Sequence, residues 1–376
     1  MKSFKLARFR GLLIAAPVAP GSVKKGSTSR MSWGNALLAL AVWFTLAGPS
    51  WAGGFICPDR LSFTIGNGIY QIPYCANLPI DPDSPNYDVT RVIVAIHGAN
   101  RTAVSTFNDV CTAAQAAGAD QTTLIIAPQF LEHTDVVHYH LGTEILFWTN
   151  NSWRDGDPSV NTDPQEVHVS SFELVDTLLL GIADGRKFPN LSMVIVSGHS
   201  AGGQFSQRFA AGSLVENDLS RLGLSMRYVI MNPGSLLYLD ETRAVFGTDP
   251  LVFAPPDASK CPDYNNYAYG LDNLNDYMSQ AGADTILAQY GERQVVYLNG
   301  ELDNDPNDPV LDRSCAAMLE GANRFERGAT FYEYLQKPDL YGPDIVQRHV
   351  HETVPGVGHD SPRMYTSSSS LRWLFD

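Results

Sequence analysis

Charge is sparse in this 376-residue chain, and basic charge sparsest: 26 Lys and Arg face 40 Asp and Glu, a net of −14, with 18% of residues charged in all. An acidic chain repels phosphate backbones and anionic headgroups, which argues against nucleic acid or a charged lipid surface as partner. The run over residues 36–47 falls well short of the ~20 apolar positions that a bilayer crossing needs. Repeats and low-complexity tracts are missing too. What remains, 44% apolar, describes a globular protein with enough apolar surface for a sizeable core. Cysteine is limited to five positions, an odd number, so one thiol is left over once pairs form.

The chain opens with a targeting pattern. Lys2, Lys5, Arg8, Arg10, Lys24, Lys25 and Arg30 precede the apolar run 36–47, which ends near Ser50-Trp51-Ala52. Residues 1–52 are therefore expected to be a signal peptide cleaved after Ala52. Met31 is an alternative initiator, although starting there forfeits every one of those basic residues. Cleavage removes seven of the 26 basic residues and none of the 40 acidic ones, leaving 19 against 40, or about −21. A secreted or periplasmic protein that is free of the membrane after processing is the expectation.

Export places the cysteines in an oxidising compartment, where pairing is the default. Cys57 and Cys75 flank a hairpin pattern, with strands at 62–65 and 69–74 around the turn pair Asn67-Gly68, and are expected to join. Cys111 shares a helical face with Phe107, Val110 and Ala114 and reads as a buried free thiol rather than a nucleophile. Cys261 and Cys315 are then the second pair.

Beyond the hairpin, runs such as Val92-Ile93-Val94-Ala95-Ile96 carry no polar alternation and read as strands buried on both faces. Similar runs recur at 124–127, 193–197, 228–231 and 295–298, with helical stripes between several of them, such as Phe172, Val175, Leu179 and Ile182. The alternation predicts an α/β fold: a mostly parallel central sheet flanked by helices on both faces. Two long excursions, 129–164 and 233–289, are rich in Trp, Tyr, Asn, Asp and Pro. They read as long loops or a small cap over a single domain spanning 53–376.

Chemistry concentrates where the strand 193–197 runs into Gly198-His199-Ser200-Ala201-Gly202 and then a helical pattern. A Gly-x-Ser-x-Gly turn between strand and helix holds a serine on a bend too sharp for side chains two places away. Here the sequence resembles the α/β-hydrolase superfamily, from about residue 91 to the end. By that resemblance Ser200 is the nucleophile, with the amide of Ala201, at the helix start, as one oxyanion donor. His97-Gly98-Ala99-Asn100-Arg101 resembles the superfamily's loop for the second donor, which makes it the Ala99 amide; His97 itself reads as a structural hydrogen-bonding residue.

Asn299-Gly300-Glu301-Leu302-Asp303 resembles the loop in which the superfamily often carries its acid, so Asp303 is favoured, with Asp305 and, more remotely, Asp240 as alternatives. An EF-hand reading of Asp303, Asp305 and Asn307 fails, because Asp308 and Ser314 stand where glycine and glutamate are needed. His359, in the glycine-rich loop 355–360, holds the place of the base. The order Ser200, Asp303, His359 is that of this superfamily and differs from other serine-enzyme lineages.

The resemblance implies a serine esterase cleaving small or polymeric carboxylic esters through an acyl-enzyme, with no metal or organic cofactor. A serine peptidase or amidase on the same fold is the alternative, and a non-catalytic binding protein a remoter one. His133, His138 and His140 lack regular metal-ligand spacing and read as a solvated loop. Phe147, Trp148, Trp153, Tyr264, Tyr267 and Tyr269 either line a substrate pocket or close the core over the sheet.

Overall fold

Val and Ile dominate the strands at the centre of the molecule, and these β-branched side chains fit a pleated surface buried on both sides. A computed structural model describes residues 54–150, 152–162 and 166–376, and the backbone of Val42–Phe44. These belong to one compact unit, Ala39–Asp376. Apart from Val42–Phe44, the expected signal peptide lies outside the described residues.

The main sheet comprises β1 (Val42–Phe44), β2 (Asp59–Ile65), β3 (Gly68–Ala76), β4 (Arg91–Ile96), β5 (Thr123–Pro128), β6 (Met193–His199), β7 (Ser225–Met231), β8 (Val295–Gly300) and β9 (His349–Val354). Their order is β1-β2-β3-β5-β4-β6-β7-β8-β9. From β5 to β9 every neighbouring pair is parallel, while β1, β2 and β3 add an antiparallel edge. All five expected core strands are present.

The hairpin differs by one residue from its expected form. Ile65 pairs with Gly68, so the turn is Gly66-Asn67, with Gly66 at φ 59°. That is the type II′ arrangement, with glycine at the first central position. Asn67-Gly68 is a strong turn signal, but Gly66 supplies the left-handed conformation and Gly68 joins the strand. The disulfides form as expected, Cys57 with Cys75 and Cys261 with Cys315, and Cys111 is buried and free.

Side chains alternate across each strand with period two, which divides the core. Val92, Val94 and Ile96 of β4 enter one hydrophobic cluster, and Ile93 and Ala95 the other. The first is covered by α2 (Ser171–Ile182), α3 (Ala201–Gly212) and α4 (Arg324–Leu335), the second by α1 (Ala103–Ala116) and α5 (Ser368–Phe375). Every residue of the two expected helical stripes is buried.

The two excursions contain short elements of their own and are fastened to the core by buried polar contacts. Arg208 of α3 donates to Asp155 at 2.7 Å and to the carbonyl of Ala268 at 3.2 Å. One arginine on the helix that follows Ser200 thus ties both insertions down.

Candidate active site

In a parallel sheet with helices on both faces, every strand delivers its following loop to the same edge, and ligands bind at that carboxyl edge. Here the loops after β4, β6, β8 and β9 carry Ala99, Ser200, Asp303 and His359.

Ser200 lies between β6 and α3 at φ 61° and ψ −121°, a conformation that costs a non-glycine residue about 1–3 kcal/mol. Its surroundings enforce it. The Ser200 amide donates to the Met231 carbonyl at 2.9 Å, and its own carbonyl accepts from Gln204 at 3.0 Å. A Cβ at Gly198 would stand 2.3 Å from the backbone of Gly202, and one at Gly202 would stand 2.1 Å from the carbonyl oxygen of Ile96. The glycines on either side of the serine are thus required by close backbone approach.

The loop after β4 passes directly against the serine: a Cβ built on Gly98 would lie 3.9 Å from Ser200 Cβ. Neither the Ala99 amide nor the Ala201 amide donates to another described residue. Arg101, at φ 59°, braces this loop: its guanidinium donates to the Ala99 carbonyl at 3.1 Å and makes a two-point contact with Asp135 at 2.6 and 3.2 Å. His97 is fully buried, and its Nε2 accepts from the Phe130 amide at 3.0 Å. Burial pushes its pKa down to about 4, so the ring is neutral and structural.

At the same carboxyl edge, His359 Nδ1 lies 2.7 Å from Asp303 Oδ2. Asp303 is buried, and its other oxygen accepts from Arg324 at 3.1 Å. The alternatives are occupied elsewhere: Asp305 is exposed and caps the amide of Asn307, and Asp240 binds Lys337 and Thr242.

His199, the residue before Ser200, and Asn232 pack against the loop that carries His359. The ring of His199 packs 4.5 Å from that of His359, centroid to centroid. Asn232, just past β7, donates to the Gly358 carbonyl at 3.2 Å, accepts from the Gly300 amide at 2.7 Å, and lies 3.3 Å from His199 Nε2. Burial, with His359 and Arg324 nearby, pushes the pKa of His199 well below the ordinary histidine range. Arg324 and Asn232 belong to no motif in the sequence, and His199 carries only a positional signal, as the residue before the serine.

The aromatic residues divide. Trp148 and Trp153 are fully buried in a cluster with Phe130, and Trp153 also packs on His97, so they close the core. Tyr264, Tyr267 and Tyr269 direct their hydroxyls to Glu241, Asp155 and Asp312 and fasten the second excursion. Phe147, by contrast, lines a cavity of ~390 Å³ together with His133 and His140. His138 packs on Tyr139.

The class defined by this sheet and elbow is the α/β-hydrolase fold, and solved structures bear it out. The chain is similar to a poly(aspartic acid) hydrolase from Sphingomonas sp. KT-1, with TM-score 0.52 and 20% identity, covering 85% of this chain and all of that one. It is also similar to a poly(3-hydroxybutyrate) depolymerase from Bordetella parapertussis, with TM-score 0.51 and 20% identity, covering 81% of this chain and 84% of that one. Comparison with protein-family models and with curated protein sequences finds no match.

Proposed function

We propose that this chain is a secreted serine hydrolase that cleaves carboxylic esters through an acyl-enzyme. The observation that carries this reading is the 2.7 Å contact between His359 and Asp303 at the sheet edge where Ser200 is held in a strained, partly exposed turn. His359 takes the proton of Ser200 through Nε2, the nitrogen that Asp303 does not use, as the hydroxyl attacks the carbonyl. Asp303 fixes the ring orientation and stabilises the imidazolium. The amides of Ala99 and Ala201 receive the oxyanion, each such donor lowering the barrier by ~3–4 kcal/mol. His359 then protonates the leaving alcohol, and water releases the acyl group by the reverse proton path.

Small and polymeric esters are the proposed substrates because one similar structure bears the name of a depolymerase of poly(3-hydroxybutyrate), a polyester. The other is named for poly(aspartic acid), whose units are joined by amide bonds, and it favours the amidase alternative. The two disulfides suit an oxidising compartment, secreted or periplasmic. Turnover of p-nitrophenyl esters of graded chain length, beside matched p-nitroanilides, tests the reading. Ester hydrolysis abolished in Ser200→Ala supports it, and anilide turnover without ester turnover moves the assignment to an amidase.

A further inference from the structure

Arg324, at the first turn of α4, is a buried cation that the proposed chemistry does not use. Its side chain is 2% exposed, and one guanidinium nitrogen donates to Asp303 Oδ1 at 3.1 Å and to Asp308 Oδ2 at 2.8 Å. The two oxygens of Asp303 are thereby divided, one to Arg324 and the other to His359. The backbone repeats the link: the Phe325 amide donates to the Asp303 carbonyl at 3.1 Å, and Asn299 of β8 donates to the Arg324 carbonyl at 3.3 Å. Helix α4 is docked onto the acid loop through both main chain and side chain.

We propose that Arg324 is a positioning residue that locks the carboxylate of Asp303 and, together with Asp308, sets the pH at which His359 works as a base. The inference rests on the hydrolase reading above. A carboxylate with one oxygen bound on each side cannot turn away from the imidazole. Asp303 presents a buried negative charge to the imidazole; the guanidinium offsets that charge, and Asp308 draws part of the offset back. The other groups around the imidazole do not replace Arg324. His199 is a neutral ring, Glu301 is bound to the Gly356 amide, Asp360 caps the amide of Arg363, and the Arg363 guanidinium donates to the Gly356 carbonyl. Asp109, across the interface on α1, is bound to the Ser361 hydroxyl.

The pH dependence of kcat/KM for ester hydrolysis in the wild type, Arg324→Gln, Arg324→Lys and Asp308→Asn tests this. Arg324→Gln is expected to move the acid limb to higher pH by about one to two units, the size given by a unit charge ~7 Å away at an effective dielectric of ~20–40. Its kcat is expected to fall with KM little changed, and Arg324→Lys to return the limb toward the wild-type position. Asp308→Asn, at a half-buried residue whose loss leaves the buried pair intact, moves the limb to lower pH. Limbs that stay in place in both Arg324→Gln and Asp308→Asn, or that move in the same direction, overturn the inference, and Asp308→Asn alone decides it if Arg324→Gln fails to fold. Fluorophosphonate labelling of the wild type separates the two levels. A labelled wild type with unmoved limbs sinks the role of Arg324 alone, whereas a wild type that neither labels nor turns over any ester sinks the hydrolase reading and this inference with it.

Discussion

Replacing Gly202 by alanine tests the geometry of the serine turn without touching a proposed catalytic group. The added Cβ would stand 2.1 Å from the Ile96 carbonyl oxygen, 2.8 Å from that of His97 and 2.9 Å from the Ile96 carbonyl carbon, all of them backbone atoms with no rotamer to change. Restoring ordinary contact near 3.5 Å from 2.1 Å requires the start of α3 and the end of β4 to part by about 1.4 Å. Those two segments carry Ser200 with Ala201 on one side and lead to Ala99 on the other. A misplacement of ~1 Å at reacting groups costs on the order of 100-fold in rate, and overpacking costs about 1–3 kcal/mol of stability. Gly202→Ala should therefore lose about two orders of magnitude in ester turnover and melt several degrees lower. Gly185→Ala is the control, since a Cβ there meets nothing within 4 Å; its stability should stay within ~0.5 kcal/mol of the wild type. Wild-type turnover and melting in Gly202→Ala would refute the reasoning.

Asp303→Asn should lower kcat by about 10⁴-fold, because the amide favours the wrong imidazole tautomer, while the exposed Asp305→Asn should change it little; a reversed order would move the acid. Burial pushes the Cys111 thiol up to about 12, so a thiol reagent at pH 8 should leave the native protein unmodified and titrate one thiol after unfolding without reductant. Titration of three or more would contradict the disulfide pairing. Burial also lowers His97 and His349 to about 4, against ~6.5 when unfolded. The unfolded chain then binds the extra protons between those values, so the stability held above pH ~6.5 is lost as pH falls toward 4. Buried Asp176 and Glu320, raised to about 7 and about 8, act in the opposite sense over this range. The check is therefore the change in urea midpoint between pH 7 and pH 4.5 in His349→Gln against the wild type: a smaller loss or larger gain on acidification is expected in the variant, and an identical change would contradict it.

The sheet was legible because its strands are continuous apolar runs, which only burial on both faces permits; Ser200, Asp303 and His359 were singled out by the resemblance of their loops to those of the superfamily, and the parallel strands deliver those loops to one edge. The hairpin register was misplaced by one residue because Asn67-Gly68 and Gly66-Asn67 are both turn-forming pairs, and only the backbone conformation separates them. Asp303 and Asp305 differ by burial, which a loop sequence does not encode. Arg324 was invisible for the same reason: it stands 21 positions after Asp303 in a polar stretch, and a buried arginine looks in sequence like an exposed one. Trp148 and Trp153 carry the composition of a pocket wall, but their partners come from other elements and place them in the core.

The most direct test of the central claim is the site of covalent modification by a fluorophosphonate, read by peptide mass spectrometry on the native protein. A single adduct on Ser200, lost on denaturation before labelling and abolished in His359→Ala, is the result predicted. An adduct on another residue, or none while the protein remains folded, would contradict the claim that this turn presents an activated nucleophile.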